Sequence, residues 1–194
     1  MSTNSIPHDL WNVLSQKLSE QRRQKIINVS YMRTSHICLV LQDVDNLHNI
    51  FACIRTAEAF GIQNIYCVGK KIKEKSAMQT SQGSITWLTI HHFQSIQSCC
   101  KHLKKNGYTI IAAIPDEGSV PLNDVQTDEP VAVVFGNERD GLSNEWNDYV
   151  DLYFTIPMFG FVESLNISVS AAITIQQLVT KAQNNRNYYL TNTE

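Results

Sequence analysis

The chain has 194 residues, a size that fits one ordinary domain with a substantial core. Hydrophobic residues make up 43% of it, which argues against disorder. A membrane span needs about 18 consecutive apolar residues, and the sequence has no such run. The first part of the chain is polar and charged and lacks the apolar segment of a signal peptide, so the cytoplasm is the expected location.

The formal net charge of -2 is not the strongly basic balance of a typical nucleic-acid-binding protein. The charge is unevenly distributed, because the first 35 residues hold five basic and two acidic side chains, a net +3, which leaves -5 for the rest. These cations either complement a helix dipole or contact RNA phosphates, and the two roles are compatible. The candidates for RNA contact are Arg22, Arg23, Lys25 and Arg33.

The cysteines and histidines indicate no metal site. The five cysteines include no Cys-x-x-Cys pair, and we expect them to be reduced and mostly buried in an intracellular protein. His91 and His92 have no partner at the spacing of metal ligands.

The hydrophobic pattern predicts strands and helices in alternation. A helix is predicted over residues 7–28, with an apolar stripe expected to pack on the body, and residues 1–33 form a basic helical extension. Strands are predicted at 37–42, 64–68, 86–91, 108–114, 131–135 and 150–156, and helices at 49–60, 94–106 and from about 164 onward. This alternation predicts one α/β domain with a largely parallel sheet flanked by helices, and a frayed tail over 184–194.

Three segments share one design, an apolar strand followed by a polar loop and a helix: 37–60, 131–146 and 150–177. Because the carboxyl ends of parallel strands lie at one edge of a sheet, we expect the loops to converge on one binding site. The candidate side chains are Asn49, Arg55, Glu138, Ser164 and Asn166. Neither a Gly-x-Gly-x-x-Gly nor a Walker loop is present, so any nucleotide-like cofactor binds by other means.

Each candidate also has a simpler interpretation. Arg55 could pair with Glu58 one helical turn further on. Asn49 and Ser164 could cap helices, and Asn166 could bond to nearby backbone. Glu138 could belong to a solvated turn. The convergence of all three loops favours a binding site over these separate explanations.

The three loops resemble the motifs of the SpoU (TrmH-type) methyltransferases of the SPOUT superfamily. The segments that match the motifs are Asn49-Ile-Phe-Ala-Cys-Ile-Arg55-Thr-Ala-Glu-Ala-Phe-Gly61, Val133-Val-Phe-Gly136-Asn-Glu138-Arg-Asp-Gly141-Leu-Ser143 and Ile156-Pro-Met-Phe-Gly160-Phe-Val-Glu-Ser164-Leu-Asn166-Ile-Ser-Val-Ser170-Ala-Ala. The resemblance covers roughly residues 35–180. It implies an α/β sheet whose C-terminal part forms a deep trefoil knot, one of the rare exceptions to unknotted chains, and it implies a homodimer.

The resemblance also implies a cofactor and a reaction. Members bind S-adenosylmethionine in the knotted loops, largely through backbone groups, and methylate ribose 2'-hydroxyls of tRNA or ribosomal RNA. The matching cofactor positions are Gly136, Ile156, Met158 and Leu165, with Ala113 a weaker match. By the same resemblance Arg55 is the catalytic arginine, and Asn49, Glu138, Ser164 and Asn166 position groups around it.

The chemistry leaves the proton acceptor open. A ribose hydroxyl must lose its proton as it attacks the methyl group. The family mechanism often makes the arginine the base, but a guanidinium barely deprotonates, so stabilisation of the developing alkoxide by Arg55 is the safer role. A substrate phosphate or Glu138 then takes the proton.

The short basic segment before the first strand, and the loop over 79–87, resemble the small members that methylate a D-loop guanosine of tRNA. Two features depart from that subgroup: the chain is net acidic, and its C-terminal extension is short. A ribosomal-RNA 2'-O-methyltransferase and a non-catalytic RNA-binding protein are the alternatives.

Overall fold

The computed structural model describes residues 8–69, 84–114, 116, 118–185 and 188–190, without the side chains of residues 8–10 and 12. Residues 79–83 of the loop over 79–87, which resembles the small family members, lie outside the described residues. Within the described chain, no helix has the length and apolar character needed to cross a membrane.

Seven strands form one sheet in the spatial order β3-β2-β1-β6-β4-β7-β5, and all neighbouring pairs are parallel. The strands are β1 (Ile37–Gln42), β2 (Asn64–Val68), β3 (Thr89–Phe93), β4 (Thr109–Ala113), β5 (Val120–Pro121), β6 (Val131–Phe135) and β7 (Leu152–Thr155). The helices are α1 (His8–Ser15), α2 (Glu20–Tyr31), α3 (Leu47–Ala59), α4 (Ile96–Lys105) and α5 (Ile167–Ala182). Single 3-10 turns lie at Ser84–Trp87, Leu122–Asp124 and Asn144–Asp148. The predicted α/β class and parallel sheet are confirmed.

Two apolar layers cover the two faces of the sheet. Because side chains alternate along a strand, Leu39 of β1 faces the layer that holds α3 and α5, whereas Val40 faces the layer that holds α4. All six residues of β1 are buried, as expected for a central parallel strand covered on both sides. The helices therefore sit at fixed positions on the sheet, with their ends at its edges.

The predicted N-terminal helix is wrong in its extent and packing. The helix is interrupted between α1 and α2, where the Ser19 side chain caps α2 by accepting a hydrogen bond from the Arg22 amide. Val13, Leu14 and Leu18, which belong to the predicted apolar stripe, are exposed rather than packed on the body, and the side chain of Leu10 lies outside the described residues.

The tail does not fray over its whole predicted length. Tyr188 is buried, its carbonyl accepts a hydrogen bond from the Thr34 hydroxyl, and the Leu190 amide donates to the Arg33 carbonyl. Residues 186, 187 and 191–194 lie outside the described part. The docking of this segment was not visible in the sequence, because its contacts are to residues more than 150 positions away.

Arg33 is buried rather than available for RNA, which corrects its prediction as an RNA-binding residue. Only 5% of the residue is exposed. Its guanidinium donates to the Ile62 carbonyl at 3.3 Å and pairs with the Glu58 carboxylate at 3.4 Å. Burial lowers the pKa of Arg33, and the neighbouring Glu58 charge opposes that shift. Glu58 is thus the partner of Arg33 and not of Arg55.

Replacing Arg33 by alanine is expected to lower the free energy of unfolding by roughly 1–3 kcal/mol, because it removes buried hydrogen bonds and leaves a void. The control Arg23→Ala removes a more exposed guanidinium, whose pair with Glu20 spans 4.0 Å, and should change stability by less than about 0.5 kcal/mol. Urea unfolding followed by circular dichroism measures both. Equal stabilities of the two variants would contradict the structural role of Arg33.

Candidate functional site

A cavity of about 470 Å³ opens at the carboxyl edge of the sheet, where β4, β6 and β7 end beside the start of α5. All five residues predicted to hold a cofactor line it: Ala113, Gly136, Ile156, Met158 and Leu165. Glu138, Ser164 and Asn166 line it as well. The structure therefore brings eight of the ten predicted cofactor and catalytic residues to one cavity.

A chain of side-chain hydrogen bonds joins the three polar loops at this cavity. The Asn49 amide nitrogen donates to Glu138 Oε1 at 2.6 Å, and Asn49 Oδ1 accepts from the Asn166 amide nitrogen at 3.2 Å. Asn166 Oδ1 in turn accepts from the Ser168 amide and hydroxyl. One carboxamide on α3 thus fixes the relative positions of the loop after β6 and the first turn of α5.

The helix caps differ from those considered in the sequence. Asn46, not Asn49, caps α3 by accepting from the His48 amide at 2.9 Å. Asn166, not Ser164, caps α5. Asn49 is therefore left free within the first turn of α3 to reach Glu138, and Ser164 lies on the preceding loop at the cavity wall.

The loop after β6 is a tight turn that is stabilised by hydrogen bonds between its own residues. Asn137 exchanges two backbone hydrogen bonds with Gly141, and its side-chain oxygen accepts from the amides of Arg139 and Asp140. Gly136 lies directly under this turn, since a Cβ built there would meet the Gly141 carbonyl oxygen at 2.1 Å. Only glycine leaves room for this close approach, which holds Glu138 at the cavity rim.

Gln42 anchors the far end of the same loop, a role that sequence analysis missed. Its Oε1 accepts hydrogen bonds from the Ser143 amide and from the Trp146 indole nitrogen, both at 3.0 Å. Trp146 is fully buried, so the anchor is rigid. A glutamine that ends an apolar central strand is the available sequence signal, but its partners lie about a hundred residues further on.

The loop after β7 offers free backbone groups to a ligand. Among the described residues, no amide or carbonyl of the segment 157–165 is hydrogen-bonded to another backbone group. Strong donors and acceptors that are not used within the fold must be satisfied by water or by a bound molecule.

Arg55 is the predicted site residue that lies apart. It is exposed on α3 and does not line the cavity. It follows Asn49 by six positions, which places it on a different face of the helix, about 120° away. Among the described residues it has no ion-pair partner.

The described residues contain no group of three or more His, Cys, Asp or Glu side chains placed to hold a metal ion. His91 instead stacks on Tyr66, with ring centroids 4.5 Å apart, and bonds to Asn64. Burial lowers the pKa of His91, and its neighbours His102 and His92 lower it further. The five cysteines are unpaired and buried, and burial raises the pKa of the Cys53 thiol to about 12.

The sequence family and the fold recur in known proteins. The sequence profile described as the SpoU rRNA Methylase family matches residues 36–176. The chain belongs to this SpoU family. A Borreliella burgdorferi protein named tRNA (guanosine(18)-2'-O)-methyltransferase is 32% identical over 93% of this chain and 83% of its own. The SpoU resemblance of the three loops is therefore confirmed.

Solved structures of SpoU proteins share the architecture. The A. aeolicus TrmH/SpoU tRNA modifying enzyme matches with a TM-score of 0.75 and 29% identity over 84% of both chains. The SpoU methyltransferase AviRb from Streptomyces viridochromogenes, solved in complex with the cofactor AdoMet, shares the fold with a TM-score of 0.71. Its identity is 21%, over 82% of this chain and 65% of that one.

In this SpoU chain, Gly136→Ala is expected to lower the free energy of unfolding by about 1–3 kcal/mol, because the added methyl group collides with backbone that must then move. The matched control is Gly160→Ala, in the neighbouring loop, where a Cβ meets nothing within 4 Å. Thermal melts of both variants test this. A control that loses as much stability as Gly136→Ala would count against the close approach as the cause.

Proposed function

We propose that this protein transfers the methyl group of S-adenosylmethionine to the 2'-hydroxyl of a guanosine in the D-loop of tRNA. The observation that carries the proposal is the hydrogen-bond chain from Glu138 through Asn49 to Asn166 at the mouth of the carboxyl-edge cavity. The SpoU family match and the named function of the Borreliella burgdorferi relative support the same reaction.

The residues of the cavity fit S-adenosylmethionine. Apolar side chains of Ile156, Met158 and Leu165 line it beside the backbone groups of residues 157–165, which suits an adenine ring and its polar edge. Gly136 has no side chain to obstruct the ligand. When bound, the cofactor supplies a methyl group on a positively charged sulfur, which keeps the electrons of the broken carbon–sulfur bond.

The chain's own residues then position the ribose and receive its proton. Glu138 lies at the cavity, and its Oε1 is held by Asn49, whereas its Oε2 has no hydrogen-bond partner among the described residues. A carboxylate oriented through one oxygen can accept the hydroxyl proton through the other. Arg55 stabilises the negative charge that develops on the ribose oxygen, since a guanidinium stays protonated.

The position of Arg55 supports a homodimer. Arg55 does not line the cavity of its own subunit, so a second copy can supply it. Exposed apolar side chains next to the site are available for such an interface: Leu47 on α3, Val169 and Ile173 on α5, and the fully exposed Phe159 and Phe161. A patch of this kind favours association over exposure to water.

Two further features complete the proposal. The trefoil knot is supported by the insertion of β6 between β1 and β4, and of β7 between β4 and β5, because each strand enters between two strands that precede it in the chain. The cytoplasm is the proposed location, since the proposed substrate is a tRNA and the five unpaired thiols suit a reducing compartment.

Purified protein is expected to transfer labelled methyl from S-adenosylmethionine to an unmodified tRNA transcript, at a D-loop guanosine. Arg55→Ala should lower kcat by roughly 10²–10³-fold, because the developing charge loses its stabilising group. The control is Lys101→Ala, an exposed cation on α4, which should leave the rate unchanged. Label found only in ribosomal RNA would show that ribosomal RNA, and not tRNA, is the substrate. No label in any RNA would support a binding role.

A mixture of two inactive variants tests the shared site. If Arg55 acts across the dimer, an Arg55→Ala subunit and a Glu138→Ala subunit form one intact site in each heterodimer. Random pairing of equal amounts then restores about one quarter of wild-type activity. If Arg55 acts within its own subunit, every site carries a defect and the mixture stays inactive. Mixing the variants after partial denaturation and refolding allows the subunits to exchange.

A further inference from the structure

A second cavity lies at the opposite edge of the sheet from the proposed methyl-transfer site. It has a volume of about 370 Å³ and is bounded by α2, by the end of α3, and by the segments that lead into β2 and β3. These segments precede their strands, so the cavity belongs to the amino edge. The six residues of β1 span about 20 Å, which sets the separation of the two edges.

Trp87 presents an indole ring to this cavity. The residue is 45% exposed and does not belong to either apolar layer. Its backbone is fixed, because Trp87 ends a 3-10 turn and its carbonyl accepts a hydrogen bond from Gln63 at 3.4 Å. A large aromatic side chain on an anchored backbone, without a core to fill, is a ready surface for a stacking ligand.

The charge around the indole is positive. The Arg22 guanidinium carbon lies 5.9 Å from the centroid of the Trp87 ring, at the outer range of a cation–π contact, and Lys25 lines the same cavity. The Glu58 carboxylate at the cavity is paired with Arg33. The charges of Arg22 and Lys25 therefore remain available to an anion, as neither has an ion-pair partner in the described chain.

Helix α2 leaves room for an occupant. None of its residues is buried, so it stands against the body without filling the space beneath it. Ile26 and Val29 add apolar surface to the cavity wall. An apolar wall, one exposed aromatic ring and two cations together match the flat base and the phosphate of a nucleotide better than they match an acidic or an apolar peptide.

We propose that Trp87, Arg22 and Lys25 form an auxiliary RNA-binding site in which an unpaired nucleotide of the tRNA stacks on the indole and its phosphate contacts the two cations. The inference rests on the proposed function, because it takes the bound RNA to be the substrate. Since about 20 Å separate the sheet edges, this nucleotide is not the one methylated at the cavity of the same subunit, and the site contributes to binding rather than to chemistry.

Steady-state kinetics with the full tRNA transcript test the role of the ring. Loss of a stacked base should raise KM for tRNA roughly 5- to 50-fold in Trp87→Ala and change kcat far less. Trp87→Phe keeps a stacking face and should recover most of the affinity, whereas Trp87→Leu keeps apolar bulk alone and should not. An unchanged KM in Trp87→Ala, with the protein folded, overturns the proposal.

Salt dependence separates the cations from the ring. Lys25→Ala should reduce the slope of log Kd against log salt by about 1, because one phosphate contact is lost. Trp87→Ala should weaken binding without changing that slope. Lys101→Ala, which removes a cation from α4, should change neither the affinity for tRNA nor the slope. A slope that responds equally to Lys25→Ala and Lys101→Ala contradicts the phosphate contact.

Fluorescence reports the contact without any need for methyl transfer. In a Trp11→Phe background, the remaining indoles are the exposed Trp87 and the buried Trp146. Titration with tRNA should quench the emission of Trp87, and the further change Trp87→Phe should abolish the response. Quenching without methyl transfer would retain this site and overturn the proposed function. Methyl transfer to tRNA with neither quenching nor a change in KM would retain the function and overturn this site.

Discussion

The parallel pairing of all seven strands is the constraint on which the site depends. Parallel strands place every strand-to-helix loop at one edge, so residues as distant in sequence as Asn49, Glu138 and Asn166 come within hydrogen-bond distance there. The Asn49 carboxamide then fixes their relative positions, because it donates to one loop and accepts from another. The sheet brings the three loops close together, and the Asn49 side chain fixes their relative positions.

The support behind the polar residues is as specific as the residues themselves. The Gln42 carboxamide holds the far end of the Glu138 loop through two donors, and the missing side chain of Gly136 lets the near end pack closely. Gln42 acts on the Ser143 backbone and the Trp146 side chain, and Gly136 acts through its close approach to the Gly141 backbone. A shift of about an ångström in either would move Glu138 away from Asn49. The Glu138 carboxylate, on an exposed loop, thereby gains a fixed position, which its proposed role requires.

The distribution of charge reconciles a net acidic chain with the proposed RNA substrate. Arg22 and Lys25 on α2 line the amino-edge cavity and have no ion-pair partner in the described chain, whereas Arg33 is held in its buried pair with Glu58. Local charge, not the overall balance of -2, decides where a polyanion binds. With the apolar residues Phe159 and Phe161 exposed near the cavity, the surface offers separate regions for the proposed RNA and for the proposed second subunit.

The sequence by itself determined six of the seven strands, the α/β class and the three polar loops, because the period of apolar residues and the short spacing within each motif are local properties. The two-residue strand β5 (Val120–Pro121) is too short to show that period. It also predicted most of the residues that meet at the cavity, since parallel strands leave few places for such loops to meet, but it missed Gln42 and did not show that Arg55 lies apart. Only the tertiary structure decided what each side chain bonds to. Arg33 and Arg22 look alike in sequence, yet long-range packing buries one against Glu58 and leaves the other at the surface beside Trp87.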